Sequence, residues 1–475
     1  MLVQKLQKIY YHLKVNVISF LKKRTPIQVV LFGFVLVILI GGFLLWLPFS
    51  QVTGEVSYLD CLFTAVSATC VTGLVVVNTA AEWTEVGKVI ILGMIQIGGL
   101  SFVTLFTFIV VSAGKKVNMR SRLLVQASLN QNSMKGMVRI VKLAIKGTLL
   151  FEAMGAIILF LRFRYTYGIG FGKSVAYGIF HSVSAFCNAG FDIIGELSLQ
   201  PFVGDPIINI TIMTLIITGG IGFIVWKDIV AVISVWTKKR QTQRVFSLHS
   251  KLAIRTTLIL ILAGSIYFFA TEYTNSNTLG KLDLGEKILA SIFQSVTLRT
   301  AGFFTIAQDA LTESSKFVSS MFMLIGGSPG GTAGGVKTVT LAIVVSSVWS
   351  TFKGENDIDV LHRRISVRLL QRAIAVIGAM FSLWFLVSTI IEFTMINSLG
   401  TFSFMDILFE VASALGTVGL STGMTPYLNV VGKVLIMLCM FIGRLGPIGI
   451  ASSLQKKSHL KDDRIRLPKE DVIIG

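Results

Sequence analysis

Eight apolar stretches, at residues 27–49, 86–112, 142–162, 206–236, 252–271, 318–346, 373–395 and 430–453, dominate the sequence. A bilayer core about 30 Å thick is crossed by roughly 20 helical residues, so each stretch is long enough to span it. Only 14% of the residues are charged and 53% are hydrophobic, whereas a soluble domain carries about 25% charged residues. Such a chain cannot cover its surface in water and reads as an all-α polytopic membrane protein. The first stretch is too long for a signal-peptide core and has no small-residue cleavage site, which makes it a true helix. Four cysteines and eight prolines in 475 residues exclude a disulfide scaffold and a Pro-rich disordered chain. With 44 glycines and 34 phenylalanines, close helix packing is expected.

Between successive pairs of these windows lie four shorter apolar stretches, 57–69, 174–186, 285–298 and 403–415. They are too short to cross the bilayer and read as re-entrant helices. The basic residues orient the whole, because Lys and Arg collect on the cytoplasmic side. Segments 1–24, 114–146, 227–255, 337–372 and 444–475 hold 34 of the 43 Lys and Arg. Both termini are therefore expected in the cytoplasm. The net charge of +19 follows from this asymmetry together with attraction to anionic membrane lipid, so no nucleic-acid partner is expected.

The short stretches end in related words: FTAVSATCVTGL at 63–74, FHSVSAFCNAGF at 180–191, FQSVTLRTAGF at 293–303 and FEVASALGTVGL at 409–420. Their last glycines, Gly73, Gly190, Gly302 and Gly419, are separated by 117, 112 and 117 residues. A fourfold internal repeat follows, each unit consisting of a helix, a short re-entrant helix, a Gly-containing loop and a second helix. Irregular backbone at membrane depth persists only where it is buried or lines water. Four such loops on one axis would pool carbonyls to replace the hydration shell of a cation, and glycine, free to adopt positive φ, can aim them. The ion-lining pairs are then Thr72 with Gly73, Ala189 with Gly190, Ala301 with Gly302 and Val418 with Gly419, flanked by Val71, Asn188, Thr300 and Thr417. Packing of small residues alone predicts neither the loops nor the period.

On these four words and their spacing, the sequence resembles the Trk/Ktr/HKT superfamily of cation translocators over roughly residues 25–455, most closely the membrane subunits of bacterial Ktr potassium uptake systems. The resemblance implies four pseudo-symmetric helix–pore-helix–helix units around a central pore, with eight transmembrane and four re-entrant helices. The units would be 25–113, 142–237, 251–350 and 371–455, joined by cytoplasmic loops 114–141, 238–250 and 351–370, with an N-terminal segment 1–24 and a tail 456–475. It also implies K⁺ as the transported ion held at the filter glycines, with Na⁺ as a further candidate. A homodimer in the bacterial plasma membrane is implied, seated on a cytosolic ring of RCK/KTN-type regulatory subunits that would carry the nucleotide. No organic cofactor is expected on this chain. In plant relatives a serine at the first filter glycine goes with Na⁺ transport, so Gly73 points to K⁺.

The sixth window contains Gly326, Gly327, Ser328, Pro329, Gly330, Gly331, Thr332, Ala333, Gly334 and Gly335, a composition that breaks a helix. No strand precedes it and no Gly-Lys-Ser/Thr follows directly, so it is not a phosphate-binding loop. The resemblance implies that this segment closes the pore. Arg444, in the last window, is a costly charge at membrane depth; the family's fourth-unit arginine places it below the filter, paired with the gate. Glu152 and Glu392 read as pore-mouth or inter-helix partners, Arg299 as a tether for a pore helix, and Asp60 and Asp406 as caps. Cys61, Cys70, Cys187 and Cys439 show no metal-binding spacing, and His12, His181, His249, His362 and His459 are scattered. No catalytic set is expected, and the chain is not read as an enzyme. The competing reading is a secondary carrier with alternating access, whose broken helices bind a solute at the midplane.

Overall fold

The structure, a computed structural model, describes residues 24–112, 119–128, 137–237, 246–355, 357–361, 363–395 and 402–447. Most of the N-terminal segment, parts of loops 114–141 and 238–250, residues 448–455 of the last window and the tail 456–475 lie outside the described residues.

Apart from single turns, the helices are α1 (Pro26–Trp46), α2 (Tyr58–Cys70), α3 (Glu85–Leu100), α4 (Phe102–Ser112), α5 (Met119–Ser128), α6 (Met137–Tyr165), α7 (Phe171–Cys187), α8 (Pro206–Gly220), α9 (Phe223–Thr237), α10 (Leu248–Glu272), α11 (Leu284–Thr297), α12 (Glu313–Leu324), α13 (Thr338–Phe352), α14 (Val367–Met395), α15 (Phe404–Gly416) and α16 (Val430–Leu445). A short antiparallel hairpin, Ile358–Val360 with Arg363–Ile365, lies between α13 and α14. Helices α1, α6, α10 and α14 are long and apolar enough to cross a membrane, and only 28–33% of their apolar windows is buried, which leaves most of each for lipid. Helices α2, α7, α11 and α15 coincide with the four expected re-entrant stretches and form the inside. Every residue of α15 from Asp406 to Gly416 is buried.

Side chains at the helix starts fix these elements. A capping box joins Thr25 and Gln28 across Pro26, and others join Asp283 with Glu286 and Ser403 with Asp406. Asp406 closes a capping box as the sequence suggests, whereas Asp60 accepts from the hydroxyl of the N-cap residue Ser57 at 2.8 Å; both also make ion pairs that reach across the fold. Lys433 Nζ of α16 lies 2.6 Å from Asp60 Oδ1, and Lys316 Nζ of α12 lies 2.9 Å from Asp406 Oδ1. The first pair joins residues 373 positions apart, so it ties the end of the described chain to its beginning.

Two windows expected as continuous helices are bent. The 86–112 window turns by 81° between α3 and α4, and the 206–236 window by 98° between α8 and α9. Ser101 takes φ +64° at the first bend and Gly222 φ +95° at the second. Only the interruption of 318–346 had been legible; in the structure it separates α12 from α13. Glycines bring the second helices onto the short ones. A Cβ on Gly98, Gly219 or Gly443 would collide with the carbonyl oxygen of Thr69, Phe186 or Leu415, which sit at or near the ends of α2, α7 and α15.

Gly98→Ala should therefore destabilise the folded protein by about 1–3 kcal/mol through overpacking. Gly93→Ala, on the same helix with nothing within 4 Å of its Cβ position, should leave the midpoint unchanged or raise it. Thermal unfolding of the two variants in detergent checks the contrast.

Candidate functional site

Each short helix runs into a loop whose backbone turns left-handed twice. Val71, Asn188, Thr300 and Thr417 have φ of 58°, 61°, 71° and 54°, and the glycines two positions on, Gly73, Gly190, Gly302 and Gly419, have φ of 99°, 68°, 82° and 94°. For the β-branched Val71, Thr300 and Thr417 this conformation is strained. The helix end enforces it, because the next N–H bonds back into the last turn. Thr72, Ala189 and Val418 donate to the carbonyls of Ser67, Ser184 and Ser413 at 2.8 Å, and Ala301 donates to that of Thr297 at 2.9 Å.

The four loops meet. A Cβ on Gly73 would lie 2.5 Å from Ala189 O, one on Gly190 2.8 Å from Ala301 O, and one on Gly302 2.6 Å from Val418 O. One on Gly419 would strike Thr72 O, which closes the ring. Every glycine thus has two reasons to be glycine: positive φ, and a neighbouring loop's carbonyl where a side chain would start. The residue before each glycine is fully buried.

Hydroxyls at matching positions of the short helices brace the ring, a feature the sequence reading did not single out. Gly73 N and Gly419 N each donate to the hydroxyl of Ser67 and Ser413 at 3.0 Å. Ser184 Oγ and Thr297 Oγ1 instead donate to Phe191 O at 2.7 Å and Phe303 O at 2.5 Å, just past their glycines. The signal was present in the aligned words, which share Ser or Thr at this place. Arg299, fully enclosed, donates from Nη1 to Thr257 O of α10 at 3.1 Å, away from the ring.

Directly against the ring lies the Gly-rich segment. A Cβ on Gly334 would collide with Thr417 Oγ1, and one on Gly326 would sit 3.2 Å from Thr300 Cγ2. Much of its backbone pairs with residues at or near the ends of other helices. Ser328 N and Thr332 N donate to Gly220 O and Gly219 O of α8 at 2.9 and 3.1 Å, Phe223 N donates to Gly330 O at 3.0 Å, and Gly335 N donates to Gly443 O at 3.3 Å. A Cβ on Gly222 would meet Pro329 O at 2.6 Å, so the bend between α8 and α9 is the seat of this segment. Gly327 O accepts from Thr338 N at 3.0 Å, Gly331 N donates to Ser328 O at 3.3 Å, and Lys337 Nζ donates to Ala333 O at 2.7 Å. Arg444 reaches the segment from α16: Nη1 donates to Thr332 O, while Nη2 donates to Gly98 O and, at 3.1 Å, to Gly99 O of α3. The sequence-expected ring, segment and arginine are one contiguous structure.

A family model described as TrkH, a cation transport protein, matches residues 6–463. The Ktr system potassium uptake protein B of Bacillus subtilis is 39% identical over 95% of this chain and 97% of its own length. The potassium/sodium uptake protein NtpJ of Enterococcus hirae is 36% identical over 96% and 98%. Among solved structures, the potassium transporter TrkH from Vibrio parahaemolyticus matches with a TM-score of 0.67 at 18% identity, covering 89% of this chain and 84% of its own, a likeness of fold.

Removing a bracing hydroxyl leaves a buried loop N–H without its partner, which costs about 1–3 kcal/mol. Ser67→Ala and Ser413→Ala should each lower the thermal midpoint of the purified protein accordingly. An unchanged midpoint in both would contradict the bracing role.

Proposed function

Because the chain belongs to the TrkH family of cation transport proteins, a family of transporters and not of enzymes, we propose that it takes up K⁺ through a pore selected by the ring at Gly73, Gly190, Gly302 and Gly419. The observation that carries this reading is the ring's closure, in which the carbonyls of Thr72, Ala189, Ala301 and Val418 each face the glycine of the preceding loop. Carbonyls gathered in this way replace the water shell of a cation. The relatives named for potassium uptake and for potassium/sodium uptake support K⁺ as cargo and admit Na⁺ beside it. Residues 71–74, 188–191, 300–303 and 417–420 carry no charged side chain, so selection falls to backbone dipoles and to the negative ends of the four short helices.

In this reading the four helix–short-helix–helix units surround one path, with the second helix broken in at least three of them. Eight passes then carry both termini on the cytoplasmic side. The segment Gly326–Gly335 is the gate, held across the path by Arg444. The membrane potential supplies about 2.3 kcal/mol per 100 mV for each K⁺ drawn inward. Regulation comes from a second component, as the name of the Ktr system relatives suggests. We place it as an RCK/KTN-type nucleotide-binding ring on the cytosolic face of a homodimer of this chain. An alternating-access carrier finds less support, since its two-halved architecture gives no reason for four loops to close a ring.

Expression in a bacterial strain lacking K⁺ uptake tests the reading. Wild type should restore growth on low K⁺. Gly73→Ser, whose Cβ would lie 2.5 Å from Ala189 O, should weaken rescue at least about tenfold in half-saturating K⁺ or shift transport toward Na⁺. Unaltered K⁺ uptake and selectivity in Gly73→Ser would remove the ring from the transport path.

A further inference from the structure

Glu152 is a carboxylate near the middle of α6, 6% exposed, that neither the ring nor the gate uses. Among the described residues it makes no salt bridge. A charge-bearing group left at that depth without an ion partner points to a functional task. Its neighbours show which task. Gln96 of α3 donates from Nε2 to Glu152 Oε2 at 3.2 Å. The Cys187 thiol, at the last residue of α7, lies 3.8 Å from Glu152 Oε1 and 3.6 Å from Gln96 Oε1. Ser182 of α7 donates to the Glu152 carbonyl at 2.6 Å. The carboxylate therefore joins three elements: its own lipid-facing helix, the short helix that ends at Cys187, and the final turn of α3.

That final turn holds the arginine. Helix α3 stops at Leu100 because Ser101 turns to φ +64°, so its last carbonyls have no helical partners. Gly98 O and Gly99 O are two of them, and Arg444 Nη2 takes both. A cation on the C-terminal carbonyls of a helix also meets the negative end of the helix dipole. Gln96 belongs to the same turn, two and three residues before these carbonyls. The contact is tight on the far side as well, since a Cβ on Gly99 would lie 2.6 Å from Cys187 Sγ. Whatever fixes the Gln96 side chain fixes the carbonyls that receive Arg444.

We infer that Glu152 is a positioning residue for the gate: through Gln96 it holds the last turn of α3 where Gly98 and Gly99 dock Arg444, and so keeps Arg444 against Thr332 of the Gly-rich segment. This rests on the reading of Arg444 and that segment as the pore barrier. Loss of the Glu152 contact frees the dock, lets Arg444 leave Thr332, and raises passage through the closed state. Glutamine at this position retains an oxygen acceptor for Gln96 Nε2 and should hold the dock nearly as well.

The test is tracer Rb⁺ flux into proteoliposomes containing the full chain, expressed per inserted molecule. Arg444→Ala should raise basal flux. Glu152→Ala and, independently, Gln96→Met should each raise it about threefold or more, with Glu152→Gln close to wild type. In the Arg444→Ala background neither substitution should add anything, because the residue they position is gone. If Arg444→Ala leaves flux unchanged, the barrier reading fails and the inference falls with it. If Arg444→Ala raises flux but Glu152→Ala and Gln96→Met lower it, or add to it in full, the barrier reading stands and the positioning role is overturned. A merely structural glutamate would reduce the amount of folded protein and leave flux per molecule as it was.

Discussion

A helix that stops inside a bilayer leaves carbonyls with no water to accept from, and each unpaired group there costs several kcal/mol. This chain stops helices at membrane depth again and again, and the rest of its structure follows from where those carbonyls find partners. The loops that follow α2, α7, α11 and α15 turn left-handed and bond back to their own helices, and in doing so they set four further carbonyls each against the glycine of a neighbouring loop. The end of α8 is taken by the N–H groups of Ser328 and Thr332, and the end of α3 by Arg444. The ring, the Gly-rich segment and the buried arginine are three answers to one requirement.

The same requirement explains why the segment and the ring are in contact. A Gly-rich stretch has few side chains to satisfy its backbone and takes partners from helix ends, and these cluster around the ring because the short helices end there. Glycines on the second helices permit the approach: Gly98, Gly219 and Gly443 let α3, α8 and α16 lie against the terminal turns of α2, α7 and α15. Lys433 with Asp60 and Lys316 with Asp406 then fasten neighbouring units at the other end of the short helices. A rim of ion pairs and a floor of capped carbonyls hold a strained ring between them. Strain of this kind persists only where the surroundings over-determine it.

Much of this was legible in the sequence, because length and hydropathy separate helices that cross from helices that do not, and the period of the four words located each loop. Positive φ at the four glycines followed from the need to aim carbonyls. The left-handed turns at Val71, Thr300 and Thr417 did not, since β-branched residues avoid that region and only the helix-end bonds force them into it. The bends at Ser101 and Gly222 were hidden inside apolar windows that score as continuous spans. Gly219, Gly220 and Gly222 carried a weak signal, but their bend exists because the Gly-rich segment occupies it, a contact between residues about a hundred positions apart that no local pattern encodes. For Glu152 the sequence allows a pore-mouth or an inter-helix role, and nothing in its local pattern shows that α3 ends between it and Arg444.

On the proposed reading the four loops form one cation site. The most direct measurement is anomalous diffraction from crystals of the protein grown in Rb⁺. Density is expected on the axis of the ring, within coordination distance of the carbonyls of Thr72, Ala189, Ala301 and Val418. Rb⁺ bound elsewhere in the membrane region, with the ring axis empty, would contradict it.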